Sequence, residues 1–215
     1  MFNNRKDAGE QLGEALRKID LGEGIVLAIP RGGVVVGAEV CRKLGYPLDI
    51  IIPKKVGLPH QPEVAIGAVT EDGTAIYNEE LLRRLNISPQ NLRPTVQKII
   101  REIKRRMDLY RGTNTPPNLL NKDVILVDDG IATGATIVAA LKSLKNSGCR
   151  SITLAVPVAP PDILAKLRQE VDHLVCLIEA EPFYAVGQFY KNFEQVDDEE
   201  VIELIQNKLP VQKSC

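Results

Sequence analysis

Four apolar residues, Val124-Ile125-Leu126-Val127, run without a break into Asp128 and Asp129. A loop of small and hydroxyl residues follows at once: Gly130-Ile131-Ala132-Thr133-Gly134-Ala135-Thr136. Ile137, Ala140, Leu141 and Leu144 then recur at helical spacing. An unbroken apolar run suits a central strand of a parallel sheet, covered on both faces. Ligands of such sheets bind beyond the carboxyl ends of the strands. Gly130 and Gly134 let the backbone approach a ligand closely. The first N–H groups of the following helix have no partners within the helix and bind anions such as phosphate. Thr133 and Thr136 add hydroxyl donors, and ionised Asp128 and Asp129 accept from sugar hydroxyls or hold a cation. Together these features describe a cradle for ribose 5-phosphate.

The stretch resembles the phosphoribosyl pyrophosphate (PRPP) fingerprint of type I phosphoribosyltransferases: an apolar strand, two acids, two apolar residues and a short Thr/Gly-rich loop. Gly130 departs from that pattern, standing where an apolar residue is usual. A Walker-B-like strand is the rival reading, and it requires a P-loop elsewhere. Gly32 and Gly37 have P-loop spacing, but Ala38 and Glu39 stand where Lys and Ser/Thr belong. The resemblance implies an α/β fold with a doubly wound, mainly parallel sheet flanked by helices, a small hood and a mobile loop or hairpin insertion. It implies that residues 130–136 hold the 5-phosphate and that Asp128 and Asp129 take the ribose hydroxyls. Mg2+ would bind mainly through PRPP, with Asp128 and Asp129 as the candidate protein ligands.

A second strand-loop-helix unit precedes it. Ile25 to Ile29 form a buried strand, Pro30-Arg31-Gly32-Gly33 a tight turn, and Val34 to Leu44 a helix. Such a turn is a backbone anion nest with an arginine beside it. In the family, the loop after the first core strand holds the pyrophosphate, which implies that role for Arg31, Gly32 and Gly33. Leu48 to Ile52 form a third strand, stopped by Pro53, with Lys54 and Lys55 at its end. A lysine there can reach a pyrophosphate as a point charge. Arg31, Lys54 and Lys55 are thus the candidate catalytic cations, two solvated lysines being the alternative.

Residues 57–63 read as a loop, residues 64–69 and 74–77 as the strands of a hairpin. The family's mobile loop belongs here; His60 is a candidate for a contact with leaving group or acceptor, a solvated loop side chain being the favoured alternative. A short helix covers residues 79–85, and a longer one begins near Pro94, with Val96, Ile99, Ile100, Ile103 and Met107 as its inner stripe. The basic residues beside that stripe read as a solvated surface. Strands over 151–158 and 174–178, a helix over 160–170 and a last helix over 197–209 complete the alternation expected of a doubly wound sheet. The N-terminal helix, residues 6–19, packs on the sheet and carries no evident chemistry.

Aromatic residues make up only 4% of the chain, yet Phe183, Tyr184, Phe189 and Tyr190 sit close together, with Phe193 just after. Planar rings grip planar bases by stacking. In the family a variable hood, built partly from the final segments, binds the acceptor. That implies acceptor contacts for Phe183 and Tyr184, with a small aromatic core pinning the tail as the alternative.

The length of 215 residues fits a single domain, residues 1–215, with a core over about 20–178 and a hood or tail over about 179–215 that includes the N-terminal helix. A net charge of −1 gives no case for nucleic acid or membrane partners. Cys41, Cys149, Cys176 and Cys215 lack metal-ligand spacing and read as reduced thiols, and with no apolar signal segment at Met1-Phe2-Asn3-Asn4 the expected location is cytoplasmic. The resemblance implies transfer of phosphoribosyl from PRPP to a nitrogen acceptor, best read as a nucleobase, with release of pyrophosphate, and makes a homodimer plausible. The alternatives are a regulator that binds PRPP or a nucleotide without turnover, and a sugar-phosphate phosphohydrolase.

Overall fold

The computed structural model describes residues 1–58, 61–112 and 116–206. Its strands in chain order are β1 (Gly24–Ala28), β2 (Leu48–Ile50), β3 (Lys54–Leu58), β4 (Gln61–Val69), β5 (Ala75–Tyr77), β6 (Asp123–Val127), β7 (Ser151–Ala159) and β8 (His173–Glu179). Its helices are α1 (Arg5–Leu16), α2 (Gly32–Leu44), α3 (Glu79–Arg84), α4 (Arg93–Arg111), α5 (Ala135–Asn146), α6 (Pro161–Leu167) and α7 (Asp198–Gln206).

Five strands pair in parallel in the order β2-β1-β6-β7-β8. The chain steps outward from β1 to β2 and then crosses back to add β6 on the other side of β1. Strand order reverses between β1 and β6, and this is the switch point where open α/β sheets leave a crevice. The two loops singled out in the sequence leave the sheet at that crevice.

The burial of β6 explains its composition. Val124 and Leu126 pack with Ile137, Leu141 and Leu144 of α5 and Leu164 and Leu167 of α6. Ile125 and Val127 point the other way, into Leu12 and Leu16 of α1 and Val36 and Val40 of α2. Both faces are covered, so the strand is apolar throughout, each such side chain contributing about 1.5–3 kcal/mol.

The segment expected to be a loop is largely strand. β3, β4 and β5 form a separate antiparallel sheet, so Gly57 and Leu58 end one strand and Gln61 to Glu63 begin the next. Val56, Ile66 and Val69 of this sheet pack under Ile103, Met107 and Tyr110 of α4, and that cover supplies the stability that the local sequence, rich in Gly and Pro, does not. Pro59 and His60 lie outside the described residues, as does any extension of α7 beyond Gln206. α6 ends at Leu167, three residues short of the expected limit. Cys41, Cys149 and Cys176 are free thiols. Among the described residues no helix is long and apolar enough to cross a membrane.

At the end of β6 remote from the crevice, Asp123 is nearly enclosed. It accepts from Arg150 Nε at 2.8 Å, Ser151 Oγ at 2.7 Å and the Gly22 N–H at 2.7 Å. The Arg150 guanidinium, followed by these neutral donors, holds its carboxyl well below the usual carboxylate range against the opposing effect of burial. A depressed carboxylate stabilises the fold above its unfolded value, near pH 4, and loses that contribution as pH falls. Asp123→Asn is expected to cost about 2 kcal/mol at pH 7, roughly 4–8 °C in Tm, a value discounted because the Arg150 side chain is half exposed. Thermal melts of both proteins should converge as the pH drops below about 4. A gap that stays constant with pH would contradict this account.

Candidate active site at the switch point

Two loops meet at the crevice. The β1–α2 turn enters α2 directly, so Gly32 and Gly33 are the first helical residues, where the sequence pattern places them in a preceding loop. The Pro30–Arg31 peptide is cis. A Cβ built on Gly32 would lie 1.9 Å from Asp129 Oδ2, and one on Gly33 would lie 2.9 Å from Asp128 Cα. The glycines let the N-terminus of α2 press against the acid pair with no side chain between them.

The helix ends here differ from those elsewhere. Asn4 caps α1 and Asn78 caps α3 through side-chain oxygens. Neither α2 nor α5 has a capping side chain. α4 and α6 also lack one, but both carry proline in their first two positions, which removes a donor that would need a partner. At α2 and α5 the first N–H groups remain: α2 presses on the acids at Gly32 and Gly33, and α5 follows the acids in the chain after residues 130–134. Gly134 sets the entry to α5 with φ +75°, a conformation that favours glycine. Ala132 and Thr133 are exposed and Thr136 is half-buried at that loop, while Ile131 is anchored in the core beneath α5.

Gly130 is explained by a distant neighbour. A Cβ there would lie 2.6 Å from Val186 Cγ1 and 3.0 Å from Val158 Cγ1. Val186, from the C-terminal segment, occupies the space that an apolar residue at position 130 would fill.

The acids are in direct contact. Asp128 Oδ1 accepts the Asp129 N–H at 2.8 Å. Burial, and then the Asp129 charge, push the Asp128 carboxyl well above its usual range. One backbone N–H and one guanidinium N–H leave acceptor capacity on the two carboxylates, which suits sugar hydroxyls or a cation. Among the described residues no group of three His, Cys, Asp or Glu side chains could hold a metal ion. Two adjacent carboxylates are hard oxygen donors of the kind that would hold a Mg2+ drawing its other oxygens from phosphate and water.

The N-terminal helix, expected to be without chemistry, supplies the cation that Asp129 does have. Arg5 Nε donates to Asp129 Oδ2 at 2.7 Å. The Tyr190 hydroxyl donates to the Asp129 carbonyl at 2.6 Å, and burial raises its ionisation far above the normal phenol range. Both contacts join residues more than sixty positions apart, so no local spacing in the sequence announces them.

Two of the three candidate cations have other partners. Arg31 Nη1 lies 3.7 Å from Asp198 Oδ1 at the start of α7, and the Tyr110 hydroxyl donates to the same oxygen at 2.5 Å. Lys54 does not extend from the end of a core strand: it opens β3 and pairs with Glu102 of α4. Lys55 is exposed and, by strand alternation, points to the opposite side. Arg31 and Gly32 line a cavity of about 330 Å³ with Arg5, Phe193, Glu194, Gln195 and Val196. The aromatic group mostly forms a small core. Phe2 packs on Tyr190 at 5.3 Å between centroids, and Tyr190 on Phe193 at 5.0 Å. Phe183 packs on Phe189 at 5.1 Å, whereas Tyr184 is 84% exposed.

A family model described as the phosphoribosyl transferase domain matches residues 4–193. A protein of Mycobacterium tuberculosis strain H37Rv, whose name assigns it provisionally to the phosphoribosyl transferases, is 39% identical over 202 residues. The match covers 94% of this chain and 46% of that protein, so the chain spans about half the length of the curated relatives it matches. The crystal structure of TT1426 from Thermus thermophilus is similar with a TM-score of 0.83 at 38% identity, over 96% of this chain and 98% of that one. A Neisseria gonorrhoeae protein solved with bound ppGpp shares the fold with a TM-score of 0.54 at 15% identity, over 96% and 98% of the two chains.

Proposed function

This chain belongs to the phosphoribosyl transferase domain family, and from that premise we propose that it transfers phosphoribosyl from PRPP to a nitrogen acceptor of the nucleobase type. The observation that carries the reading is the contact of the α2 N-terminus, at Gly32 and Gly33, with Asp129 and Asp128 at the strand switch point. Two open helix ends and two adjacent carboxylates match a ligand with anions at both ends and a diol between them.

In this reading the N–H groups around Gly134 to Thr136, with the Thr133 and Thr136 hydroxyls, take the 5-phosphate. Asp128 and Asp129 accept from the ribose hydroxyls. The Gly32 and Gly33 N–H groups and Arg31 take the pyrophosphate, with Arg31 exchanging Asp198 for the ligand. Lys54 could add positive charge for the pyrophosphate only by leaving Glu102, and Lys55, on the other side of β3, takes no part. A bond forms between the acceptor nitrogen and the anomeric carbon, the bond from that carbon to the pyrophosphate oxygen breaks, and pyrophosphate leaves with the electron pair. The acceptor's proton passes to solvent. Mg2+, when bound with PRPP, supplies charge neutralisation at the leaving pyrophosphate. The protein contributes positioning and electrostatic stabilisation of that leaving group. Tyr184, exposed beside the aromatic core, is the better placed of the two acceptor candidates, since Phe183 is already packed on Phe189.

Phosphorus NMR of PRPP with Mg2+, alone and with a panel of purines, pyrimidines and other nitrogen acceptors, tests the proposal. Acceptor-dependent release of pyrophosphate is the expected result. Arg31→Ala should weaken PRPP and pyrophosphate alike, by about 10- to 100-fold. Binding without turnover across the panel would favour a regulator, and release of inorganic phosphate without an acceptor would favour a hydrolase.

A further inference from the structure

Asp129 is held by residues from both ends of the chain. Arg5 Nε donates to its Oδ2 at 2.7 Å, with only 11% of the arginine side chain and 15% of the aspartate side chain exposed. Arg5 is itself fixed by two other partners. Its Nη1 donates to the Glu194 carbonyl at 2.7 Å, and its guanidinium lies 3.7 Å from the centroid of the Phe193 ring. The segments that carry these groups are tied together by backbone hydrogen bonds. Phe2 N–H donates to the Phe189 carbonyl at 2.8 Å, Lys191 N–H to the Phe2 carbonyl at 2.8 Å and Asn192 N–H to the Asn3 carbonyl at 3.0 Å.

The arginine also touches the turn that carries the pyrophosphate candidates. A Cβ on Gly32 would lie 2.6 Å from Arg5 Nε, and Arg5 lines the same cavity as Arg31 and Gly32. Its charge opposes the rise that burial and Asp129 impose on the Asp128 carboxyl.

We infer that Arg5 is a positioning residue that locks the Asp129 carboxylate in the orientation needed to accept from the sugar diol. One guanidinium N–H engages Oδ2, which leaves acceptor capacity on Oδ1 for sugar hydroxyls. A carboxylate held by a guanidinium that is anchored elsewhere loses little freedom when the sugar binds. The inference rests on the diol role of Asp129 proposed above.

Calorimetric binding of Mg2+–PRPP and of Mg2+–pyrophosphate to the wild type, Arg5→Ala and Arg5→Lys separates the outcomes. Pyrophosphate lacks the diol and serves as the control for an intact fold and an intact α2 turn. Arg5→Ala should lose about 10- to 100-fold in PRPP affinity while its pyrophosphate affinity stays within about twofold. Arg5→Lys should recover part of the PRPP loss. Unchanged PRPP affinity in Arg5→Ala would overturn the inference. So would an equal loss of both ligands, which would make Arg5 a support of the fold or of the pyrophosphate turn. If the wild type itself fails to bind PRPP, the proposed function falls and takes this inference with it. Failure of the inference alone leaves wild-type binding intact.

Discussion

Asp129→Asn is expected to reduce kcat/KM for PRPP by about 100- to 1000-fold, with the fold retained. The substitution keeps the side chain's shape and its contact with Arg5, but removes the charge that pairs with the guanidinium and that, in the proposed function, the sugar hydroxyls use. Pyrophosphate binding should persist, because the α2 turn and Arg31 are untouched. Turnover followed by phosphorus NMR, with a melt to confirm folding, reads the result. Wild-type turnover in this variant would remove the acid pair from the reaction.

Gly32→Ala should damage the site through space alone. The added methyl carbon would start 1.9 Å from Asp129 Oδ2 and 2.6 Å from Arg5 Nε, so either the ion pair parts or the first turn of α2 shifts. Overpacking of this kind costs about 1–3 kcal/mol. A displacement of about 1 Å at a positioned group can cost about 100-fold in rate. A loss of that size in turnover, accompanied by a fall in Tm of roughly 2–12 °C, is the expected outcome. If the alanine variant melts and reacts like the wild type, the close approach of α2 to the acids is not as described.

Much of the core was legible because its signals are local. The β6 run, its acidic tip and the glycine-rich entry to α5 lie in one continuous stretch, and each has a one-dimensional signature: apolar continuity, then charge, then small residues. The Arg31-Gly32-Gly33 turn was readable for the same reason. Its final position in the first turn of α2 shifted by two residues, within the range over which helix ends fray. The strand over 54–58 was not legible, since Lys54, Lys55 and Gly57 have low strand propensity and the pairing with β4 and the cover from α4 override it.

The chain by itself determined the parallel sheet, the acid pair and the two glycine-bearing turns, because backbone periodicity and loop chemistry are written in neighbouring residues. It also flagged the unusual glycine at position 130 without explaining it. Only the tertiary structure decided that Val186 fills the space above Gly130, that Arg5 holds Asp129, that Tyr190 holds the same residue's carbonyl, and that Lys54 pairs with Glu102. These contacts join residues from 48 to 124 positions apart, as Lys54 to Glu102 and Arg5 to Asp129 do. Their partners are chosen by which segments the packed sheet brings side by side, and no spacing along the chain encodes that choice.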